Sequence, residues 1–194
     1  PDLGVNAAEY AVRFVARLME LREHLKNRAP TDSRFEPPWT TLSVGRISGG
    51  VAHNVIVGKA EVDWEMRPVQ AADLAFVNDN MQQYIHETLI PAMRQVYPAA
   101  DISTEIIAEI CGLNSMPENA ARQLVSELTG ANSADLVAFG TEAGLFQGLG
   151  LSAVVCGPGS IAQAHKPDEY VALDQLSACL EMLTGLGRKL HCAA

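Results

Sequence analysis

The 194-residue chain carries 14 Lys and Arg against 23 Asp and Glu, a formal net charge of −9, with 48% hydrophobic and 19% charged residues. That balance argues against a nucleic-acid or anionic-membrane surface, since both need clustered Lys and Arg, and no window reaches the roughly 18 uninterrupted apolar residues of a spanning helix. Four cysteines, Cys111, Cys156, Cys179 and Cys192, stand far apart with no Cys-x-x-Cys pair, which speaks against a zinc ribbon or a dense disulfide framework and makes a reducing cytoplasm the default.

At roughly 100–150 residues per domain the length allows one ordinary domain or two small ones. The chain opens on Pro1 with no initiator Met, basic segment or apolar signal core, and this start reads as a cut end. Residues 6–27 place Tyr10, Phe14, Leu18, Leu21 and Leu25 at helical spacing with Arg and Glu between them, which predicts an amphipathic helix capped by Asn6. Pro30, Pro37 and Pro38 then bracket a loop. Residues 39–47, rich in Thr, Val and Leu, predict a strand that breaks at Ser48-Gly49-Gly50. Residues 59–67 alternate strictly enough to predict a second strand, with Glu61, Asp63, Glu65 and Arg67 on one face and the other face buried. A second long helical pattern covers 71–97 and is expected to kink or break at Pro91. Residues 101–110 are a further strand candidate. Helix, strand, strand, helix, strand is the order of an α+β module with its helices on one face of an antiparallel sheet, and such a module wants one more strand before the first helix.

Residues 112–117 read as a linker, and the pattern changes at Glu118. A helix over 120–128, a strand over 136–139, a short helix over 142–149, a strand over 151–156, a long loop and a helix over 173–190 alternate as in an α/β sheet. Two modules are therefore expected, 1–111 and 112–194.

The chemistry-bearing candidates cluster after the apolar run 151–156, which stops at Gly157-Pro158-Gly159-Ser160. Loops beyond the carboxyl ends of strands carry ligands in open α/β sheets. The glycines free backbone N–H groups to hold an anion or oxyanion, or the segment is a tight turn and nothing more. His165 follows, with Asp168 and Glu169 close enough in sequence to orient an imidazole. Between the two predicted strands of the first module, Asn54 is either a turn residue or a polar ligand contact. Arg67 either pairs with Glu65 or Asp63, or grips a substrate carboxylate with its two-pronged guanidinium. No His-x-Asp, His-Glu-x-x-His or Glu-Glu pair is present, so His165 is one metal-ligand candidate without evident partners.

Gly4-Val5-Asn6-Ala7, Gly49-Gly50 with Asn54-Val55-Ile56, residues 63–68, Thr141-Glu142-Ala143, and Gly157-Pro158-Gly159-Ser160-Ile161-Ala162-Gln163-Ala164-His165 with Asp168-Glu169-Tyr170 resemble the dinuclear zinc hydrolases that include acetylornithine deacetylase, succinyl-diaminopimelate desuccinylase and carboxypeptidase G. The resemblance runs from end to end and is strongest to the acetylornithine deacetylase branch. It implies a catalytic domain with a mixed sheet and two zinc ions, cobalt being an alternative metal, interrupted by an inserted ferredoxin-like lid that also makes a homodimer. The chain then corresponds to the lid without its first strand (1–111), followed by the carboxy-terminal α/β part of the catalytic domain (112–194).

Carried over residue by residue, the resemblance makes His165 a zinc ligand supported from behind by Glu169. It gives Asn54 and Arg67 the substrate carboxylate, sets Gly157, Gly159 and Ser160 along the substrate, and places Glu142 with Thr141 in a substrate-side loop. The family's bridging aspartate, base glutamate and cross-dimer lid histidine have no match in the chain, so no catalytic residue is assigned, and His53 is not that histidine. The implied reaction is metal-assisted amide hydrolysis that removes the acetyl group of N2-acetylornithine, a step of arginine biosynthesis, with the 194 residues inactive alone. A peptidase or another N-acyl-amino-acid hydrolase of the same family is the alternative enzyme. A non-catalytic dimerisation module is the alternative from another class.

Overall fold

The computed structural model describes residues 3–137, 140–164 and 166–192. By their internal contacts these form two units, Pro1–Ile106 with Leu136–Ala138, and Ile107–Asp135 with Phe139–Ala194.

In the first unit, helix α1 (Ala7–Lys26) starts where Asn6 turns extended and its side-chain oxygen accepts the Ala8 N–H at 3.1 Å, while Asn6 Nδ2 donates to Glu9 at 3.1 Å. The orphan donors of the first turn are met as the sequence predicts. The helix buries Leu18, Leu21 and Leu25, the face that its 3.6-residue periodicity assigns to the core. Strand β1 (Thr41–Gly49) pairs antiparallel with β2 (Ala60–Arg67), in a register that sets Thr41 opposite Arg67 and Gly49 opposite Ala60.

Strand β1 begins and ends two residues later than predicted. The register shifts between Val44 and Arg46, so Gly45 forms a bulge, and the strand stops at Gly50, whose φ of 85° a side chain would strain. At Gly49 a Cβ would fall 2.9 Å from that of Ala60, so only glycine lets the two strands meet there.

Helix α2 (Ala71–Tyr84) lies with α1 on one face of this hairpin. Leu18, Leu21 and Leu25 meet Leu42 of β1 and Val77 and Met81 of α2. Each such side chain contributes roughly 1.5–3 kcal/mol when fully buried. The predicted break at Pro91 takes another form: the helix widens into a π-turn (Ile85–Leu89) and continues as α3 (Ile90–Arg94). Proline has no N–H to donate and its ring presses on the carbonyl four residues back; widening the turn relieves both problems without ending the helix. Ile85, Leu89 and Ile90 then form a second apolar cluster that takes in Tyr10 and Ile102.

The strand expected over 101–110 is absent. Only Ile102 is drawn into the core, Ile106 and Ile107 are exposed, and the β1–β2 hairpin is the only sheet among the described residues. A strand exists through its partner, and neither hairpin strand pairs with this segment.

The second unit contains α4 (Ala120–Thr129), α5 (Ala143–Gly148) and α6 (Leu173–Cys192). Asn119 caps α4 through the Arg122 N–H at 2.9 Å, and Gly130 closes it with φ 73°. Helix α4 leans on α6, Leu128 facing Gly185 and Glu127 pairing with Lys189. The α/β sheet expected over 112–194 is not formed among the described residues. Residues 151–156 are not in a strand, nor are Leu136 and Val137, and residues 138 and 139 of the other predicted strand lie outside the description. The β-branched, apolar composition was read correctly, but no neighbouring strand offers a hydrogen-bond ladder.

Candidate functional site

Asn54 sits in the loop 50–59 between β1 and β2, in a turn closed by the Val55 N–H donating to the Ala52 carbonyl at 3.3 Å. Its side chain is exposed. Val57 ties the same loop to α1 through its carbonyl, which accepts the Ala7 N–H at 2.8 Å. Arg67 ends β2 at the opposite end of the hairpin, so seven strand steps separate it from Ala60, roughly 23 Å at 3.3 Å per residue. Asn54 and Arg67 of one lid therefore belong to opposite ends of the hairpin.

Arg67 donates from Nε to Glu65 Oε1 at 3.1 Å and is itself about half exposed. Of the two partners weighed for it, Glu65 is the one it meets, because Asp63 is held by Arg46 Nε at 2.8 Å across the sheet. The outer face of β2 is therefore a ladder of ion pairs in which Arg46 also reaches Glu61 at 3.2 Å and Lys59 meets Glu61 at 2.7 Å. The hydrogen bond from Lys59, with its charge, holds the Glu61 carboxyl below its ordinary value. The hydrogen bond and charge of Asp63, then Glu61, raise Arg46 further above its usual range. Pairs this exposed add little stability each.

In the second unit Gly157, Gly159 and Ser160 lie on an exposed loop. Gly159 adopts φ 99°, a conformation that favours glycine. The Ser160 hydroxyl accepts the Ala162 N–H at 3.3 Å and its carbonyl accepts the Gln163 N–H at 3.0 Å, so Ser160 opens a short turn leading toward residue 165. His165 lies outside the described residues. Asp168, just beyond, is the one non-glycine residue described with positive φ, 59°. Glu169 is exposed. Glu142 stands at the start of α5, where the Thr141 hydroxyl accepts the Ala143 N–H at 3.1 Å. Among the described residues no three His, Cys, Asp or Glu side chains gather into a group that could hold a metal ion.

Two features were not anticipated from sequence. The first is a buried clasp. Thr40 Oγ1 donates to Asp73 Oδ2 at 2.5 Å and accepts the Val69 N–H at 3.0 Å, while Arg28 Nε and Gln70 Nε2 donate to Asp73 Oδ1 at 3.0 and 3.1 Å. Arg28 also lies over the Phe76 ring at 4.2 Å. An Asp in a first helical turn looks like an ordinary dipole-favoured acid, and nothing in its neighbourhood announces partners 33 and 45 residues away. The second is a groove of about 480 Å³ between α1 and β1, lined by Val15, Met19 and Arg22 on one side and Val44, Arg46 and Ile47 on the other.

The hairpin with two helices on one face is the frame of a lid, and residues 1–93 match the peptidase dimerisation domain family. Across both units the chain is also similar to hydrolases of the kind that its motifs resemble. It is 35% identical over 186 residues to acetylornithine deacetylase of Myxococcus xanthus, covering 94% of this chain and 46% of that protein. It is 34% identical over 184 residues to acetylornithine deacetylase of Klebsiella pneumoniae and 32% to that of Salmonella heidelberg, in each case across 95% of this chain and 46% of the relative. The chain thus spans about half the length of the curated relatives it matches. No helix among the described residues is long and apolar enough to cross a membrane.

Proposed function

We propose that this chain is the lid and the carboxy-terminal share of a metal-dependent amide hydrolase that removes the acetyl group from acetylornithine. The observation that carries this reading is the reach of the similarity: it extends across both units to proteins named acetylornithine deacetylase, far beyond the dimerisation domain. In this reading the Arg67 guanidinium and the Asn54 amide bind the substrate carboxylate, Gly157, Gly159 and Ser160 line the acyl amino acid, and Glu142 belongs to a neighbouring loop.

The separation of Asn54 and Arg67 along the hairpin supports a site shared between two copies, each supplying one of the two residues. A homodimer through the lid provides that arrangement and accords with the domain's description.

The metal expected is zinc. A hydrolytic zinc site takes three protein ligands and an open position, and the described residues do not supply that set. His165, with Glu169 behind it, is this chain's contribution, and the other ligands belong to additional polypeptide. In this reading activity belongs to the complete protein and not to these 194 residues alone.

The test is a deacetylation assay of the complete protein on acetylornithine, other N-acyl amino acids and dipeptides, with its zinc content measured. Acetylornithine turned over with the highest kcat/KM supports the reading. Preference for a dipeptide selects the peptidase that the dimerisation domain's description also accommodates. Metal-free protein inactive on every amide, even after zinc is added, leaves only a dimerisation module.

A further inference from the structure

Helix α5, Ala143–Gly148, is six residues long, well short of the roughly 12–15 residues at which a helix begins to hold by itself in water. Burial does not make up the difference, since Leu145, Phe146 and Leu149 are 45, 52 and 77% exposed. The Glu142 carbonyl accepts the Leu145 N–H at 2.9 Å and the Phe146 N–H at 3.3 Å. Whatever steadies α5 therefore also steadies the pair Thr141 and Glu142 at its start.

Two contacts with one segment do so. Gln147 Oε1 accepts the Asn114 N–H and Gln147 Nε2 donates to the Asn114 carbonyl, both at 2.9 Å. The side-chain amide thus meets the donor and the acceptor of a single backbone residue, as a neighbouring strand would. One turn earlier Gly144 is buried, and an added Cβ would stand 2.8 Å from the carbonyl carbons of Cys111 and Gly112 and closer still to the Cys111 oxygen. Positions 144 and 147 share one face of the helix, and they meet residues that are likewise three apart, 111 and 114. Residues 111–114 belong to no helix or strand, so the segment and the short helix are each ordered by the other.

We propose that Gln147 is a positioning residue: with Gly144 it clamps α5 to residues 111–114 and thereby fixes Thr141 and Glu142 beside the substrate. That these two residues face the substrate rests on the proposed function; the clamp itself does not.

The clamp is read by hydrogen exchange on the full 194-residue chain, with circular dichroism showing that the variants stay folded. Gln147→Ala should speed exchange at the Asn114 and Leu145 N–H groups at least threefold. Gly144→Ala should also speed exchange at Leu145, although by propensity alone alanine would steady a helix. Gln147→Glu keeps the shape and the acceptor, but once ionised it has no proton for the Asn114 carbonyl. Its exchange relative to the parent chain should be faster at neutral pH and return to parity in acid, where the carboxyl is protonated.

In the complete enzyme the readout is a double-mutant cycle on kcat/KM for acetylornithine. Gln147→Ala and Glu142→Ala should each lower it several-fold, and in the Glu142→Ala background the Gln147 change should lose most of its effect. A general loss of stability would lower both backgrounds alike. The proposal is overturned if either Gln147→Ala or Gly144→Ala leaves exchange at Leu145 unchanged, if Gln147→Glu differs from the parent equally in acid, or if the Gln147 and Glu142 effects multiply as independent changes. Exchange that follows the clamp in a protein whose complete form cleaves no acetylornithine supports the clamp and counts against the proposed function alone.

Discussion

Asn54 and Arg67 lie at opposite ends of the β1–β2 hairpin, Arg67 across from Thr41 and Asn54 beyond the pair formed by Gly49 and Ala60. If one substrate carboxylate uses both, the two come from different copies. Asn54→Ala and Arg67→Ala should each lower kcat/KM of the complete enzyme, the arginine change by roughly 30-fold for about 2 kcal/mol of charge-assisted hydrogen bonding. Mixing the two variants is the decisive measurement. A heterodimer pairs one intact site with one doubly altered site, so random exchange of subunits should restore about a quarter of parental activity by site counting. Absence of any rescue on mixing would place both residues in one copy's site and contradict the roughly 23 Å separation along β2.

The clasp around Asp73 ties together the segment after α1, the residue before β1 and the first turn of α2. Asp73 and Thr40 are 1% and 0% exposed, whereas Arg28 keeps one side in water. Thr40→Val removes a donor to the carboxylate and the acceptor of the Val69 N–H while conserving shape. The expected cost is about 1–3 kcal/mol, the penalty for stranding buried polar groups. Urea unfolding should show a lowered midpoint with an unchanged m-value, since the surface exposed on unfolding does not change. Arg28→Lys should cost less, because a lysine still reaches Asp73 but loses the flat stacking on Phe76.

The ion-pair ladder on β2 makes a pH prediction of definite sign. Glu61 titrates below its ordinary value in the folded chain because of Lys59. Its contribution is therefore present above the unfolded-state value and fades as pH falls through the depressed folded-state value. Urea midpoints of the parent chain and Glu61→Gln should differ slightly at neutral pH and converge in acid. Lying on the surface, the pair is also screened, so the difference at neutral pH should shrink as salt rises toward 1 M. A difference that persists at acid pH would assign it to packing and not to charge.

What the sequence disclosed depended on how local the determining physics is. Helix α1 was legible because Asn6 and its leucines act within a few turns of one another, and β2 because alternation at Val62, Trp64 and Met66 needs only one buried face. The strands expected over 101–110 and 151–156 have suitable composition, but a strand is completed by a neighbour that composition does not specify. Pro91 marked a disturbance without specifying the π-turn that absorbs it. The candidate loop at Gly157 to Ser160 stood out by its glycines, whereas the separation of Asn54 from Arg67 along the hairpin emerged only once the register was known. The Thr40–Asp73 contact was illegible for the same reason as any long-range hydrogen bond between ordinary residues: neither side chain is unusual where it stands.

The groove between α1 and β1 bears on the lid's proposed partner. Beyond its pairing with β2, β1 has a second edge with no strand against it among the described residues, and beside that edge α1 presents Met19 at 48% exposure and β1 presents Ile47 at 51%. Unpaired backbone next to apolar side chains is a template for another strand edge or helix face. Arg22 and Arg46 flank the same groove, so a self-complementary contact must keep like charges apart while burying the apolar centre. Met19→Glu places a charge at that centre without disturbing a buried position. It should weaken self-association of the chain at least tenfold, about 1.4 kcal/mol, while leaving the helical circular dichroism and the urea midpoint of the monomer nearly unchanged. Sedimentation equilibrium at several loading concentrations measures this directly. A parent chain that remains monomeric at hundreds of micromolar, or a Met19→Glu dimer as tight as the parent, would move the lid contact away from this groove and remove the structural basis for a site shared between Asn54 of one copy and Arg67 of the other.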